Sequence, residues 1–183
     1  MRPTLILMAA LVIQSCTSTP EKVDVEPLYD YNVEDRIAEL GIELTPPSPP
    51  VANYVNAVRT GNLVFMAGKG PTRADGTRVT GKVGVDLTIE QGYEAAQLVA
   101  AAQLSALKSE IGDLNKVVRI VKVLGMVNCG EDFENQPEVI NGFSDVMVEV
   151  FGQRGKHARA AVGMGSLPRS IAVEIEMIVE VQQ

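Results

Sequence analysis

The segment TIEQGYEAAQLVAAAQLSALKSEIG (88–112) constrains this chain more than any other. Thr88 can cap the first turn with Gln91 three positions on, alanines fill the turns, and Gly112 ends them, so the spacing predicts a long helix. Its stripe of Ala95, Leu98, Val99, Ala102 and Ala106 reads as a core-packing face and not as a cofactor box. Such a helix needs a second layer to cover that stripe. The flanking segments supply one. YVNAVRTGNLVFMAG reads as two strands across a Gly61-Asn62 turn, and TRADGTRVTGKVG as an Asp-Gly turn with a strand or loop. KVVRIVKVLGMVN is a β-branched run in which Val117, Arg119, Val121 and Val123 alternate with Val118, Ile120, Lys122 and Leu124. PEVINGFSDVMVEVFG predicts a second helix, with Val139, Phe143, Val146 and Val150 on one face and Gly152 closing it. Two further strands, ARAAVGM and SIAVEIEMIVEV, follow. The order β-β-α-β-α-β-β predicts an α+β domain over 51–183, a mixed sheet covered on one face by two helices. With 46% hydrophobic and 21% charged residues, the composition suits a folded domain.

The N-terminal third is built differently. MRPTLILMAALVIQSC carries Arg2, then an apolar run from Leu5 to Ile13. That run is shorter than the roughly 20 residues of a membrane span and suits a signal-peptide core. The ending VIQSC resembles a bacterial lipoprotein signal, so residues 1–15 are expected to be removed and Cys16 lipidated. An ordinary cleaved signal or a misassigned start codon are the alternatives. The expected location is outside the cytoplasm, anchored to a membrane on its periplasmic side or soluble in the periplasm. Residues 16–50 read as a tether. Within it NVEDRIAELGIEL predicts a short amphipathic helix through Val33, Ile37 and Leu40, stopped at Gly41, and TPPSPP (45–50) predicts extended backbone.

Charge and cysteine content exclude several function classes. A net charge of −7 opposes binding along nucleic-acid phosphates, so no nucleic-acid partner is expected. Beyond Cys16 only Cys129 remains, and the chain has one histidine, so neither an internal disulfide of the mature chain nor a thiolate metal site is available. Cys129 reads as a small buried side chain, and no metal or cofactor is expected.

The charges of the two closing strands need a reason. Paired as an antiparallel hairpin centred between Ser166 and Leu167, these strands set Arg159 opposite Glu174. Ile171, Val173, Ile175, Met177 and Val179 then form one apolar face, with Glu174, Glu176, Ile178 and Glu180 on the other. A structural cross-strand ion pair accounts for this. So does a site, because Ala160, Ala161, Gly163 and Gly165 leave space beside a guanidinium suited to clamping a carboxylate.

Taken together, NYVNAVRTGNLVFMAGKGP, VINGFSDV and HARAAVGMGSLPRSIAVEIEMI resemble the Rid family of reactive intermediate deaminases, also called YjgF-like or L-PSP endoribonuclease-like. The resemblance runs from about Asn53 to Val181 and is most specific at the AR…LP…VEIE ending. It implies a chorismate mutase-like fold, homotrimers with clefts between subunits, and hydrolysis of amino-acid-derived enamines and imines to keto acids and ammonia without metal or cofactor. It implies that Arg159 clamps the substrate carboxylate, that Glu174 positions the attacking water, and that Tyr54, Gly68 and Asn141 line the cleft. Ala161 stands where active deaminases commonly carry cysteine, and Lys69 where glutamine is usual. His157, a lone loop histidine beside the arginine, reads as incidental. The expected partners are a small carboxylate-bearing imine, further copies of the chain, and a membrane through the lipid alone. A non-catalytic trimeric binding module for small carboxylates is the second reading, and the ribonuclease of the older family name a third.

Overall fold

In a computed structural model, residues 27–47 and 52–183 are described. The signal segment, Cys16 and part of the proline-rich linker lie outside them. The elements are α1 (Val33–Glu39), β1 (Ala57–Thr60), β2 (Leu63–Lys69), α2 (Ile89–Ile111), β3 (Val117–Asn128), α3 (Gln136–Phe151), β4 (Ala158–Met164) and β5 (Val173–Val181). Thr88 and Gln91 form a reciprocal capping box at the head of α2, and Gly112 caps its end. The strands form one sheet in the order β1-β2-β5-β3-β4, antiparallel except for β3 beside β4. Both long helices pack on one face of it. The mixed sheet and its helical layer are those expected.

The expected β4–β5 hairpin does not form. β5 lies in the middle of the sheet between β2 and β3, while β4 sits at the edge, parallel to β3. Burial explains the exchange. Val173, Ile175, Met177, Val179 and Val181 are all buried, and a strand that apolar gains hydrogen-bonded neighbours on both sides only at the centre. The small residues of β4 remain partly exposed, as suits an edge. Constant register sums describe a hairpin once two strands pair, but they do not establish the pairing. Arg159 therefore stands beside Val123, and Glu174 beside Met126.

The strict alternation read for β3 is also broken. Register shifts fall between Val117 and Arg119 and between Ile120 and Lys122, each placing an extra residue on β3 relative to β5. Val117, Ile120 and Val123 consequently all reach the core. On α2 the buried arc is broader than the expected stripe. Ala95, Val99 and Ala106 are buried as expected, joined by Ala96, Ala100, Gln103, Leu104 and Leu107. Leu98 and Ala102 are half-buried and line a cleft. The cause is that α2 is covered by the sheet on one side and by α3 on another. The two helices meet at Gly142, where a Cβ would lie 2.1 Å from the Tyr93 carbonyl oxygen.

The predicted short helix is α1, and it packs against the domain. Val33 and Ile37 are buried in the main core, and Asn115 Oδ1 accepts from the Val33 amide at 2.9 Å. Tyr29 donates to the Val117 carbonyl at 2.6 Å and Tyr31 to that of Val150 at 2.9 Å. Arg154 reaches back to donate to the Leu28 and Val118 carbonyls and stacks over the Tyr29 ring. Residues 28–42 thus buttress one end of β3 and α3.

Candidate active site

The five residues singled out in the sequence fall into two groups. The first is built on β4 and α3. Arg159 shares a register position with buried Val123 and so points to the helical side of the sheet. Its Nη1 donates to Asn141 Oδ1 at 2.8 Å and to Ser144 Oγ at 3.0 Å. Asn141 and Ser144 are three residues apart on α3, hence on one helical face. Ser144 in turn meets His157 Nε2 at 3.1 Å, and His157 Nδ1 meets the Gly155 carbonyl at 2.7 Å. A carbonyl only accepts, so Nδ1 carries the proton and Nε2 accepts from the Ser144 hydroxyl. The serine oxygen is then free to accept from Arg159. Burial, with a smaller contribution from the Arg159 charge, holds the His157 imidazole below its usual pKa, in keeping with this neutral tautomer. Only Nη1 of the guanidinium is used, which leaves Nη2 and Nε without a protein partner among the described residues. The result is a braced arginine with one edge open to a carboxylate.

The second group lies on β2 and β5, with Tyr54 in the segment before β1. Glu174 alternates with buried Val173 and Ile175, so its carboxylate faces away from the helices, over Gly68 of β2. A Cβ at Gly68 would lie 2.5 Å from Glu174 Oε1, an approach only glycine permits without displacing the carboxylate. Burial and the charge of Glu176 raise the Glu174 pKa. A carboxylate whose pKa is raised is a stronger base toward a water that it touches. Gly68 also borders a cleft of about 870 Å3, shared with Tyr54, Asn56, Lys69, Leu98 and Ala102. Tyr54 is 51% exposed at its rim.

One chain therefore brings Arg159 together with Asn141, and Gly68 together with Glu174, but leaves Arg159 and Glu174 on opposite faces of the sheet; Tyr54 meets Gly68 only across the cleft that Glu174 does not line. Ser144 and His157 were not singled out from the sequence as site residues. The available signal was the three-residue step from Asn141 to Ser144 within INGFS. Cys129 is buried, as expected. Among the described residues no three His, Cys, Asp or Glu side chains converge as a metal site would require.

Residues 34–180 match the family described as "YjgF/chorismate_mutase-like, putative endoribonuclease". The chain belongs to the YjgF family. Within it, the chain is 38% identical to Protein TCP17 of Trypanosoma cruzi, over 81% of this chain and 93% of that protein. It is 30% identical to a 2-iminobutanoate/2-iminopropanoate deaminase of Dermatophagoides farinae, over 75% and 94% of the two chains. The crystal structure of Atu1372 from Agrobacterium tumefaciens, a protein of unknown function, superposes with a TM-score of 0.75 at 41% identity, covering 82% of this chain and 94% of that one. The YjgF fold is thus the frame in which the two groups of side chains have to be understood.

Proposed function

We propose that the protein hydrolyses amino-acid-derived imines or enamines to 2-oxo acids and ammonia, in clefts between the subunits of a homotrimer. The observation that carries this reading is the braced Arg159, with one guanidinium edge left open for a substrate carboxylate. Glu174, whose carboxylate is seated directly against Gly68, is the group to orient and deprotonate water. The similarity to a relative named as an iminobutanoate deaminase points the same way.

The separation of Arg159 from Glu174 supports a site shared between subunits, with Arg159 and Asn141 of one copy facing Tyr54, Gly68 and Glu174 of the next. The uncovered sheet face supports assembly. Val58, Phe65 and Val162 are exposed there, next to Ile178, Leu124 and Met126. In such a cleft Arg159 holds the carboxylate and fixes the imine carbon. Glu174 takes a proton from water as oxygen adds to that carbon and returns it to the nitrogen. The resulting hydroxyl then gives its proton through Glu174 to the same nitrogen as the C–N bond breaks, the carbonyl forms and ammonia leaves. Imines are already electrophilic, so positioning and one proton acceptor suffice.

The reading includes an exported protein held to a membrane through lipidated Cys16. No described helix is long and apolar enough to cross a membrane. A non-catalytic trimer that binds small carboxylates is the second reading, favoured by Ala161 where active deaminases commonly carry cysteine. The net charge of −7 weighs against RNA as substrate.

The test is keto-acid release from imines generated in place by an amino-acid oxidase, comparing the protein with its Arg159→Ala variant. Loss of a charge-assisted contact lowers turnover by about tenfold to a hundredfold at low substrate. No acceleration over buffer across a panel of amino acids removes the enzyme and leaves the binding module.

A further inference from the structure

Lys69 has no part in that scheme, yet the fold directs it into the cleft. Met66 of β2 faces Met177 of β5, but Lys69 faces Ile175, so β2 carries one extra residue between them. A bulge of this kind turns the following side chain to the other face. Lys69 consequently lies on the side of buried Met66 and Ile175, toward α2. Gln103 of α2 secures the bulge, its Nε2 donating to the Ala67 carbonyl at 3.0 Å and to that of Ile175 at 2.7 Å.

The lysine is half-buried in the cleft it shares with Tyr54, Asn56, Gly68, Leu98 and Ala102. Its Nζ donates to Asn56 Oδ1, a neutral acceptor. The ion pairs among the described residues are Arg36–Glu39, Lys108–Glu34 and Arg119–Glu180, and Lys69 is in none of them. An ammonium drawn out of water without a carboxylate is costly, whereas a neutral amine is tolerated. Burial accordingly lowers the Lys69 pKa. An amine that gives an N–H to Asn56 keeps its lone pair for attack. Arg73, Arg78 and Arg169 line the same cleft and offer cations to a carboxylate, alongside Glu43, Glu94 and Glu149.

We propose that Lys69 is a nucleophile that forms a covalent imine in this cleft with 2-oxo acids, and with their imines by exchange of the nitrogen. The inference rests on the proposed substrate class and adds a second route to the same products. The lone pair of Nζ attacks the imine carbon and forms a C–N bond, while the π pair moves to the substrate nitrogen, which takes a proton. The gem-diamine loses ammonia, its second nitrogen having received the proton that Nζ gives up, and the C=Nζ imine remains. Water then adds to that carbon, and Nζ leaves with a proton as the 2-oxo acid forms. The sum is imine plus water to 2-oxo acid plus ammonia, with Lys69 regenerated and no redox change. A 2-oxo acid enters the same adduct from the product side with loss of water.

The test traps that adduct. The full chain is incubated with pyruvate and sodium cyanoborohydride, and the intact mass and the modified peptide are determined. One reduced adduct per chain, mapped to Lys69 and absent from Lys69→Arg and Lys69→Gln, is the expected result. Mapping in the unmodified protein decides the matter even where a variant folds poorly. No adduct, or labelling spread over Lys82, Lys108, Lys116 and Lys122 as in urea-unfolded chain, overturns the inference. If no adduct forms while keto-acid release persists and depends on Arg159, Lys69 has no covalent role and the hydrolase reading stands. An adduct on Lys69 without keto-acid release upholds the nucleophile and overturns the hydrolase reading.

Discussion

Two side chains of the candidate site have pKa values displaced in opposite directions, and each sign has a consequence. His157 is held below its ordinary value, so the unfolded chain binds the proton more tightly than the folded one. Its contribution to stability is complete above about pH 6.5 and is lost as the pH falls through the folded value. Protonation also makes Nε2 a donor, which turns the Ser144 hydroxyl away from it and loosens Arg159. Ser144→Ala is therefore expected to raise KM severalfold with a smaller change in kcat, and to remove the acid limb of the KM–pH profile. An unchanged profile would leave the serine as packing alone. Glu174 runs the other way. With its pKa raised above 4.5, its contribution is full below that value and is lost as pH rises through the folded value. Glu174→Gln should then raise Tm at pH 8 while abolishing keto-acid release, measured by thermal unfolding at pH 4 and pH 8 beside the turnover assay. Gly68→Ala offers a sharper separation. Its new methyl meets the mobile end of Glu174, at Oε1, and no backbone. Stability should drop by less than about 1 kcal/mol while activity falls tenfold or more.

At the scale of elements, what could be read in advance was whatever depended on neighbours in the chain. The capping box of Thr88 and Gln91, the stop at Gly112, and the face of α3 from Val139 to Val150 are local, and all form as their spacing requires. What failed depended on partners distant in sequence. The alternation of β3 is interrupted by bulges that only its pairing with β5 defines. The direct pairing of Arg159 with Glu174 assumed that consecutive strands are neighbours, a tendency and not a rule. The fold class was legible because helix and strand periods are local. The residues of the candidate site were legible through family motifs, but their division between two faces of the sheet was not, because that depends on strand order. Gly142 belongs to this scale as well. A methyl there would meet the Tyr93 carbonyl on α2, which cannot yield without moving a helix. Gly142→Ala is expected to cost about 2–4 kcal/mol in urea unfolding, against about 1 kcal/mol for Thr88→Ala at the α2 cap.

At the scale of the whole molecule, the described residues give the sheet a covered face and a bare one. Helices shield one side of the sheet, and Val58 and Phe65 stand 56% and 42% exposed on the other. Exposed apolar side chains among the charges of such a face suit the assembly proposed above. Light scattering should give three times the monomer mass for the protein. Phe65→Asp should return it to one, with the far-ultraviolet circular dichroism unchanged. Because Arg159 and Glu174 stand on opposite faces, mixing Arg159→Ala with Glu174→Gln chains before reassembly should restore a fraction of the activity that neither variant has alone.

The central place of β5 has a consequence for the life of the chain before it folds. β2 and β3 have no common partner until β5 lies between them, and β5 is made after every other strand. A chain emerging from the ribosome thus holds its helices over an unfinished sheet until the closing strand is synthesised. The last residues to be synthesised are thus the ones that join the two halves of the sheet.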